Sequence, residues 1–204
     1  MSAQALYAVL LFSLVMAFTP GPNNMMLASS GAKYGMRRTL PHMLGVTAGF
    51  PVMILLVGLG LASILLASPR LQLAMKIVSC AYLLWLAVQI GLSKSAGETT
   101  SRKPMSFLAA AAFQWVNPKA WLYAVGAISA YTSGSGPQLY RQVVIIAVLN
   151  VAVSLASTST WAAFGAAIRR FLRTPFWLRL FDLLMAVLLV GSTVPILLEI
   201  RDSL

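Results

Sequence analysis

Long apolar runs, interrupted by short basic segments, dominate the chain. No charged residue precedes Lys33, and uncharged stretches cover 43–69, 77–93, 104–118, 120–140, 142–168 and 183–198. A helix needs roughly 20 mostly apolar residues to cross about 30 Å of hydrocarbon, and most of these runs reach or approach that length. The runs do not alternate between apolar and polar residues, as the strands of a membrane barrel would. The pattern therefore predicts an all-α integral membrane protein.

About six transmembrane helices fit this pattern, with the first and fourth interrupted at proline. Their approximate ranges are 4–30, 42–66, 71–92, 105–131, 139–167 and 178–199, with breaks near Pro20 and Pro118. A polar stretch, Ser93–Lys103, separates the third helix from the fourth. The N-terminal apolar run has no basic residue before it and leads into Thr19-Pro20-Gly21-Pro22 rather than a cleavage site. We therefore expect a retained first helix and not a signal peptide.

Composition supports a membrane protein and removes several function classes. Hydrophobic residues make up 59% of the chain and charged residues 9%, whereas soluble domains carry about 25% charged residues. The net charge of +11 would suggest nucleic acid in a soluble protein, but here the basic residues lie between helices, so we expect lipid and no nucleic acid as a partner. A single cysteine, Cys80, and a single histidine, His42, cannot form a disulfide or a His/Cys metal cage. No cofactor or bound metal is expected.

The basic residues also indicate how the helices are oriented. Ten of them follow helices 1, 3 and 5, and four lie on the opposite side of the membrane. The ten are Lys33, Arg37, Arg38, Lys94, Arg102, Lys103, Arg169, Arg170, Arg173 and Arg179, and the four are Arg70, Lys76, Arg141 and Arg201. Cytoplasmic loops carry the excess of lysine and arginine. The distribution predicts that both termini are periplasmic.

The two interrupted helices occupy matching positions in the two halves of the chain. Ala17-Phe18 precedes the first break, and Ala112-Phe113 precedes the second. Each half has three helices, so a duplicated unit would be inverted in the membrane relative to its twin. Paired interrupted helices of this kind indicate an inverted-repeat transporter and its binding site. We predict a single transmembrane domain, 1–204, with half-repeats of about 1–93 and 104–204.

The first break is the most informative segment of the chain. Its residues are Thr19, Pro20, Gly21, Pro22, Asn23 and Asn24. Two prolines remove two backbone donors, so carbonyls one turn earlier lose their partners. Such backbone is tolerated inside a membrane only where protein or a water-filled cavity supplies new partners. Half-helix starts favour a carboxylate and exposed carbonyls favour an ammonium, so the segment suits an amino-acid zwitterion. The alternative is a kink that serves only packing.

The second break supplies Asn117, Pro118 and Lys119, with Gln114 on nearly the same helix face. Lys119 lies about 22 Å into its helix at about 1.5 Å per residue. An intramembrane lysine is costly and needs a partner. We expect that partner to be backbone carbonyls, an asparagine or the substrate's carboxylate. The alternative interpretation is an interfacial anchor.

Other polar residues have weaker interpretations. Asp182, three residues after Arg179, is expected to form an interfacial ion pair with the arginine cluster, or alternatively to carry a proton. Lys119 and Asp182 are thus the proton-coupling candidates. His42 is interpreted as a polar residue at the interfacial start of helix 2. Whether the polar side chains of helix 5 line the cavity is left open; they are Asn150, Ser154, Ser157, Thr158 and Thr160.

Both breaks resemble the motifs of a known family. Phe18-Thr19-Pro20-Gly21-Pro22-Asn23-Asn24, followed by Gly31, Gly35 and Arg37, is similar to the first-helix signature of the lysine exporter and homoserine/threonine resistance (LysE/RhtB) family. Phe113-Gln114, followed by Asn117-Pro118-Lys119, resembles its second signature. The resemblance covers essentially the whole chain and is nearest the cysteine/O-acetylserine exporter branch. It implies export of amino acids from the bacterial cytoplasm across the inner membrane, driven by the proton-motive force. Asp182 stands where several relatives are expected to have asparagine.

The leading hypothesis is therefore a secondary, proton-coupled exporter of small amino acids and not an enzyme. The alternative is an exporter of an inorganic cation or another small solute on a related fold, which would require carboxylates, histidine or cysteine inside the membrane. A thiol-relay enzyme needs paired cysteines, and an intramembrane protease needs a nucleophile and base. A homo-oligomer is compatible with the sequence.

Overall fold

The computed structural model describes residues 1–61, 63–64, 67–92, 104–171 and 174–201. Every regular element in these ranges is helical. The predicted polar stretch after the third helix, with Lys94, Arg102 and Lys103, lies outside the described residues, as does Arg173.

The described ranges contain eight α-helices. They are α1 Ala3–Phe18, α2 Pro22–Leu56, α3 Pro69–Gly91, α4 Phe107–Phe113, α5 Pro118–Tyr131, α6 Pro137–Phe171, α7 Pro175–Gly191 and α8 Val194–Arg201. A π-helical turn, Val57–Leu61, extends α2, and a 3₁₀ turn, Gln114–Val116, extends α4.

Four helical stretches of the described chain are long and apolar enough to cross a membrane. They are Pro22–Leu61, Pro69–Gly91, Pro137–Arg169 and Phe176–Arg201. Two shorter apolar helices, Ala3–Phe18 and Phe107–Val116, end at the predicted breaks. The sequence-based prediction of a helical integral membrane protein is confirmed at this level.

Helix α2 turns back on itself at Gly35, the only residue of this helix with a positive φ, 77°. The Ser30 and Thr39 hydroxyl oxygens lie 3.1 Å apart across the turn, although nine residues of straight helix would rise about 13 Å. The arms 22–34 and 36–56 therefore form a tight hairpin. The predicted linker between 30 and 42 is wrong, because one glycine, free of Cβ strain at this φ, makes the turn.

Helix α6 packs closely against this hairpin through small residues. A Cβ on Gly31 would overlap the Ala162 backbone, and a Cβ on Gly165 would overlap the Ala28 backbone. Glycine at these crossings lets the two helix backbones approach, as is common between membrane helices. The hairpin and α6 thereby form the centre of the bundle.

The last predicted helix, 178–199, is two helices in the structure. Helix α7 ends at Gly191 and α8 begins at Val194. Pro195 has no backbone N–H and its ring clashes with the preceding turn, which explains the interruption. The hydroxyls of Ser192 and Thr193 donate to the Leu189 and Val190 carbonyls, at 2.6 and 2.7 Å.

Candidate functional site

The first break lies between α1 and α2. Thr19 has extended backbone, with ψ at 144°, as expected for a residue before proline. Pro22 begins α2 at the helix position where a missing N–H costs nothing. Gly21 precedes it without a side-chain cap. The chain thus presents the carbonyl end of α1 and the amide end of α2 at one point.

Side chains from three helices satisfy the carbonyls at the end of α1. Asn24 Nδ2 donates to the Ala17 and Thr19 carbonyls, at 2.7 and 2.8 Å. Ser157 Oγ, from α6, donates to the same Ala17 carbonyl at 2.7 Å. Lys119, from α5, completes the set. The Ala17, Thr19 and Pro20 carbonyls at the break are therefore bonded by protein side chains.

Lys119 bridges the two breaks. Its Nζ donates to the Thr19 carbonyl at 2.7 Å, the Thr19 hydroxyl at 2.8 Å and the Pro20 carbonyl at 3.2 Å. A Cβ on Gly21 would lie 2.7 Å from Lys119 Cδ, so glycine there makes room for the lysine stem. The sequence left three possible partners for Lys119: backbone carbonyls, an asparagine or the substrate's carboxylate. The structure shows the backbone carbonyls.

The second break separates the 3₁₀ turn after α4 from α5. Asn117 has extended backbone and caps α5, with its Oδ1 accepting from Lys119 N at 3.1 Å. Pro118 takes the first helical position, as Pro22 does in α2. Both second half-helices therefore begin in the same way, with proline after an extended residue.

Asn23 and Gln114 form a reciprocal amide pair between the breaks. Asn23 Nδ2 donates to Gln114 Oε1 at 2.8 Å, and Gln114 Nε2 donates back to Asn23 Oδ1 at 3.2 Å. Gln114 is fully buried and also donates to the Ala110 carbonyl at 2.9 Å. The ten residues predicted from the two motifs are thus brought together; we call this set, Thr19–Asn24 with Gln114 and Asn117–Lys119, the break cluster.

A small cavity of about 60 Å³ lies beside the break cluster. Its polar wall comprises Asn23, Asn24, Asn117, Lys119, Ser154, Ser157 and Thr158. This volume holds a few water molecules. Of the polar residues of α6 left open by the sequence, three therefore line the cavity. Asn150 instead accepts from the Tyr123 hydroxyl, and Thr160 bonds to its own helix at Ala156.

Asp182 lies away from the break cluster, and it forms an ion pair with Lys33 of α2. Asp182 Oδ1 lies 3.3 Å from Lys33 Nζ and accepts from Ser29 Oγ at 3.0 Å, whereas the side chain of Arg179 is exposed. Asp182 itself is 5% exposed. Sequence reasoning missed this pair because the partners are 149 positions apart and meet only where α7 packs against the first arm of α2.

The prediction for His42 is wrong. His42 is not at a helix start but inside the second arm of α2, and it is 1% exposed. Neither ring nitrogen has a hydrogen-bond partner among the described residues.

Comparison with known proteins now defines the family. Residues 14–199 match the family described as LysE type translocator. The chain belongs to the LysE family. The resemblance stated from the two break motifs is confirmed, and this LysE-family chain is a multi-pass membrane transport protein.

Several curated bacterial relatives cover almost the whole LysE-family chain. A cysteine/O-acetylserine efflux protein of Klebsiella pneumoniae is 33% identical over 201 residues, covering 98% of this chain and 100% of the relative. Proteins of the same name from Salmonella choleraesuis and Escherichia coli K12 are 31% identical, covering 96% of this chain and 99% of each relative. No solved structure matches the chain.

Proposed function

We propose that this protein exports small amino acids from the bacterial cytoplasm across the inner membrane, as a proton-coupled secondary transporter. The observation that carries the proposal is the docking of the two breaks. Lys119 of one break donates to the Thr19 and Pro20 carbonyls of the other. A lysine ammonium is chemically the same group as the ammonium of an amino acid. These carbonyls are therefore suited to the cargo.

The proposed binding step is an exchange of ammonium groups. The amino acid's ammonium takes the place of Lys119 Nζ on the carbonyls of Thr19 and Pro20. The released Lys119 then pairs with the substrate's carboxylate, near the starts of α2 and α5, where half-helix dipoles favour negative charge. Lys119 returns when the substrate leaves, so the carbonyls always have a cationic partner.

Six membrane spans and an inverted repeat belong to the same proposal. Helix α1 with the first arm of α2 forms one interrupted span, and α4 with α5 forms its counterpart. The second arm of α2, α3, α6, and α7 with α8 supply the other four. The half-repeats 1–93 and 104–204 rock about the break cluster to give alternating access.

The relatives' names suggest which cargo to test first. Cysteine and O-acetylserine are small amino acids with one polar side-chain group, and we propose this class for the present chain. Lys119 and Asp182 remain the proposed proton-coupling groups. Asp182 pairs with Lys33 inside the protein, so protonation of its carboxylate would weaken a contact between α2 and α7.

Efflux from loaded membrane vesicles tests the proposal. Proteoliposomes containing the purified protein would be loaded with labelled cysteine under reducing conditions, O-acetylserine, serine, alanine or lysine. We expect faster release of the small polar amino acids than of lysine, accelerated by an imposed inward proton gradient. Protein-free vesicles provide the background. Release equal to that background for the whole panel would contradict amino-acid export.

A further inference from the structure

A second cavity of about 370 Å³ lies at the end of the bundle where Gly35 turns. We call it the basic-end cavity, because Lys33 lies in its wall and the exposed Arg37 and Arg38 follow the turn. Met26, one helical turn after Asn23, is also in this wall. The cavity therefore extends from the basic end to within one turn of the break cluster.

Several polar side chains lie in the mainly apolar wall of this cavity. They include Ser29, Ser30, Lys33, His42 and Gln89. Apolar and aromatic side chains such as Tyr82 and Trp85 complete the wall. A concave site with a few polar groups among apolar walls is the usual form of a small-molecule site.

His42 is the unexplained group in this wall. Its two ring nitrogens are buried and have no hydrogen-bond partner among the described residues. Buried polar atoms are normally bonded, and leaving them unpaired lowers stability. Nothing in the break cluster uses His42, and a molecule bound in the cavity would supply the missing bond.

The cavity beside the break cluster is about 60 Å³, and the basic-end cavity is about six times larger. The polar side chains of the break cluster also bond one another, as Asn23 and Gln114 do. The basic-end cavity has space for an amino acid with its water, as does a separate cavity of about 440 Å³ that Pro20 and Lys119 line, whereas the cavity of about 60 Å³ does not.

We propose that the basic-end cavity is a loading site, where an amino acid with a small polar side chain binds before it reaches the break cluster. The inference rests on the proposed export function. Lys33 has three donor hydrogens, so it can hold the substrate's carboxylate while keeping its contact with Asp182. His42 forms a hydrogen bond with the polar atom of the substrate's side chain, such as a thiol, hydroxyl or ester oxygen. His42 is thereby a specificity residue.

The test compares His42→Leu and His42→Gln with the wild-type protein. Leucine keeps most of the volume and removes the hydrogen bond, whereas glutamine restores donor and acceptor atoms. Ser13→Ala is the matched control, since Ser13 is a buried polar residue of α1 and is absent from the wall of the basic-end cavity. Initial efflux rates give KM and Vmax for labelled serine and alanine, which differ only by a hydroxyl.

We expect His42→Leu to raise KM for serine about tenfold or more, because one buried hydrogen bond to the serine hydroxyl is lost. KM for alanine, which lacks that hydroxyl, should change less than twofold. His42→Gln should recover most of the discrimination, and Ser13→Ala should leave the serine-to-alanine ratio unchanged. His42→Leu should also melt no lower than wild type, because an unpaired polar group is removed. Equal KM ratios in His42→Leu and wild type would overturn the loading site, as would a failure of His42→Gln to recover the ratio.

A binding measurement separates this inference from the proposed function. The purified protein in detergent is heated with and without excess serine, and the rise in Tm reports binding through mass action. A rise in Tm that occurs in wild type and not in His42→Leu supports the loading site. If the same wild-type protein shows no efflux, the proposed export function is contradicted but the binding site is not. A rise of the same size in both proteins, together with normal efflux, overturns the site and leaves export intact.

Discussion

Side chains at the first break act both as structural partners and as proposed substrate contacts. Asn24 and Ser157 share the Ala17 carbonyl, and Lys119 shares the Thr19 carbonyl with Asn24. A cargo ammonium that displaces Lys119 from Thr19 leaves the bonds of Asn24 in place. The break is thus able to bind and release a cation without unfolding.

Lys119→Met should abolish efflux while the protein still inserts into the membrane. Methionine retains the length of the stem but leaves the Pro20 carbonyl without its partner, so stability should fall by about 1–3 kcal/mol. Lys76→Met is the control for stability, because its ion pair with Glu199 is partly exposed and is worth at most about 1 kcal/mol. Membrane fractionation and vesicle efflux measure the two effects; normal transport by Lys119→Met would refute its role.

The pair Asn23–Gln114 should show strong thermodynamic coupling. Asn23→Leu removes the partner of the fully buried Gln114 Oε1, and Gln114→Leu removes both partners of the Asn23 amide in this pair. The double variant removes both amides. Its loss of stability should therefore be smaller, by about 0.5–3 kcal/mol, than the sum of the losses in the two single variants. Thermal unfolding of the four proteins in one detergent measures the coupling. Simple additivity would show that the reciprocal bonds contribute little.

The residues of the break cluster could be predicted individually from the effect of proline on helix hydrogen bonding. Pro20, Pro22 and Pro118 must leave carbonyls without partners, and the neighbouring amides and lysine are the groups able to replace them. The partners of Asp182 were not predictable, because Ser29 and Lys33 are distant from it in sequence. The burial of His42 was not predictable, because it lies in the arm that follows the turn at Gly35. No local pattern distinguishes that turn from an ordinary glycine in a linker.

At the scale of elements, the hairpin of α2 and its packing on α6 hold the first break in place. The first arm of α2 begins at the break, and its small residues allow α6 to approach closely enough for Ser157 to reach the Ala17 carbonyl. Close packing between these helices therefore has a direct consequence for the site.

Gly165→Ala should destabilise the protein by about 1–3 kcal/mol, the usual result of overpacking. The new Cβ would overlap the Ala28 backbone, which cannot yield as a flexible side chain can. Gly126→Ala, inside α5, is the matched control, because its nearest neighbour, Phe12 Cζ, would lie 3.6 Å from the new Cβ. That change should stabilise by up to about 1 kcal/mol through helix propensity. Thermal unfolding compares them; equal effects would contradict the close crossing.

The apolar runs predicted which parts of the chain are helical. The predicted positions of two helix interruptions, however, differ from those in the structure. The linker predicted for 30–42 is a turn at one residue, and the helix predicted for 178–199 is divided at Ser192 and Thr193. Charges at Lys33, Arg37 and Arg38 suggested a loop, but the segment is helical except at Gly35, because Arg37 and Arg38 are exposed to water and Lys33 pairs with Asp182.

At the scale of the whole molecule, cavities lie on both sides of the break cluster. The basic-end cavity contains Lys33, and a further cavity of about 440 Å³ contains Pro20, Lys119 and the Lys76–Glu199 pair. Helix α3 lines both, with Tyr82 in the first and Ser79 in the second. In the proposed alternating-access transport, the cargo's route would run along α3 and the break cluster would interrupt it.

The direction of that route depends on orientation, which cysteine labelling tests. In a Cys80→Ser background, Arg37→Cys marks the basic end and Arg141→Cys the opposite end; both native side chains are exposed. The excess of lysine and arginine predicts that the first of these lies in the cytoplasm. A membrane-impermeant maleimide should therefore label Arg141→Cys in spheroplasts and Arg37→Cys only after permeabilisation. The reverse pattern would contradict the predicted orientation. It would also place the basic-end cavity on the periplasmic side, where it would serve release of the cargo and not loading.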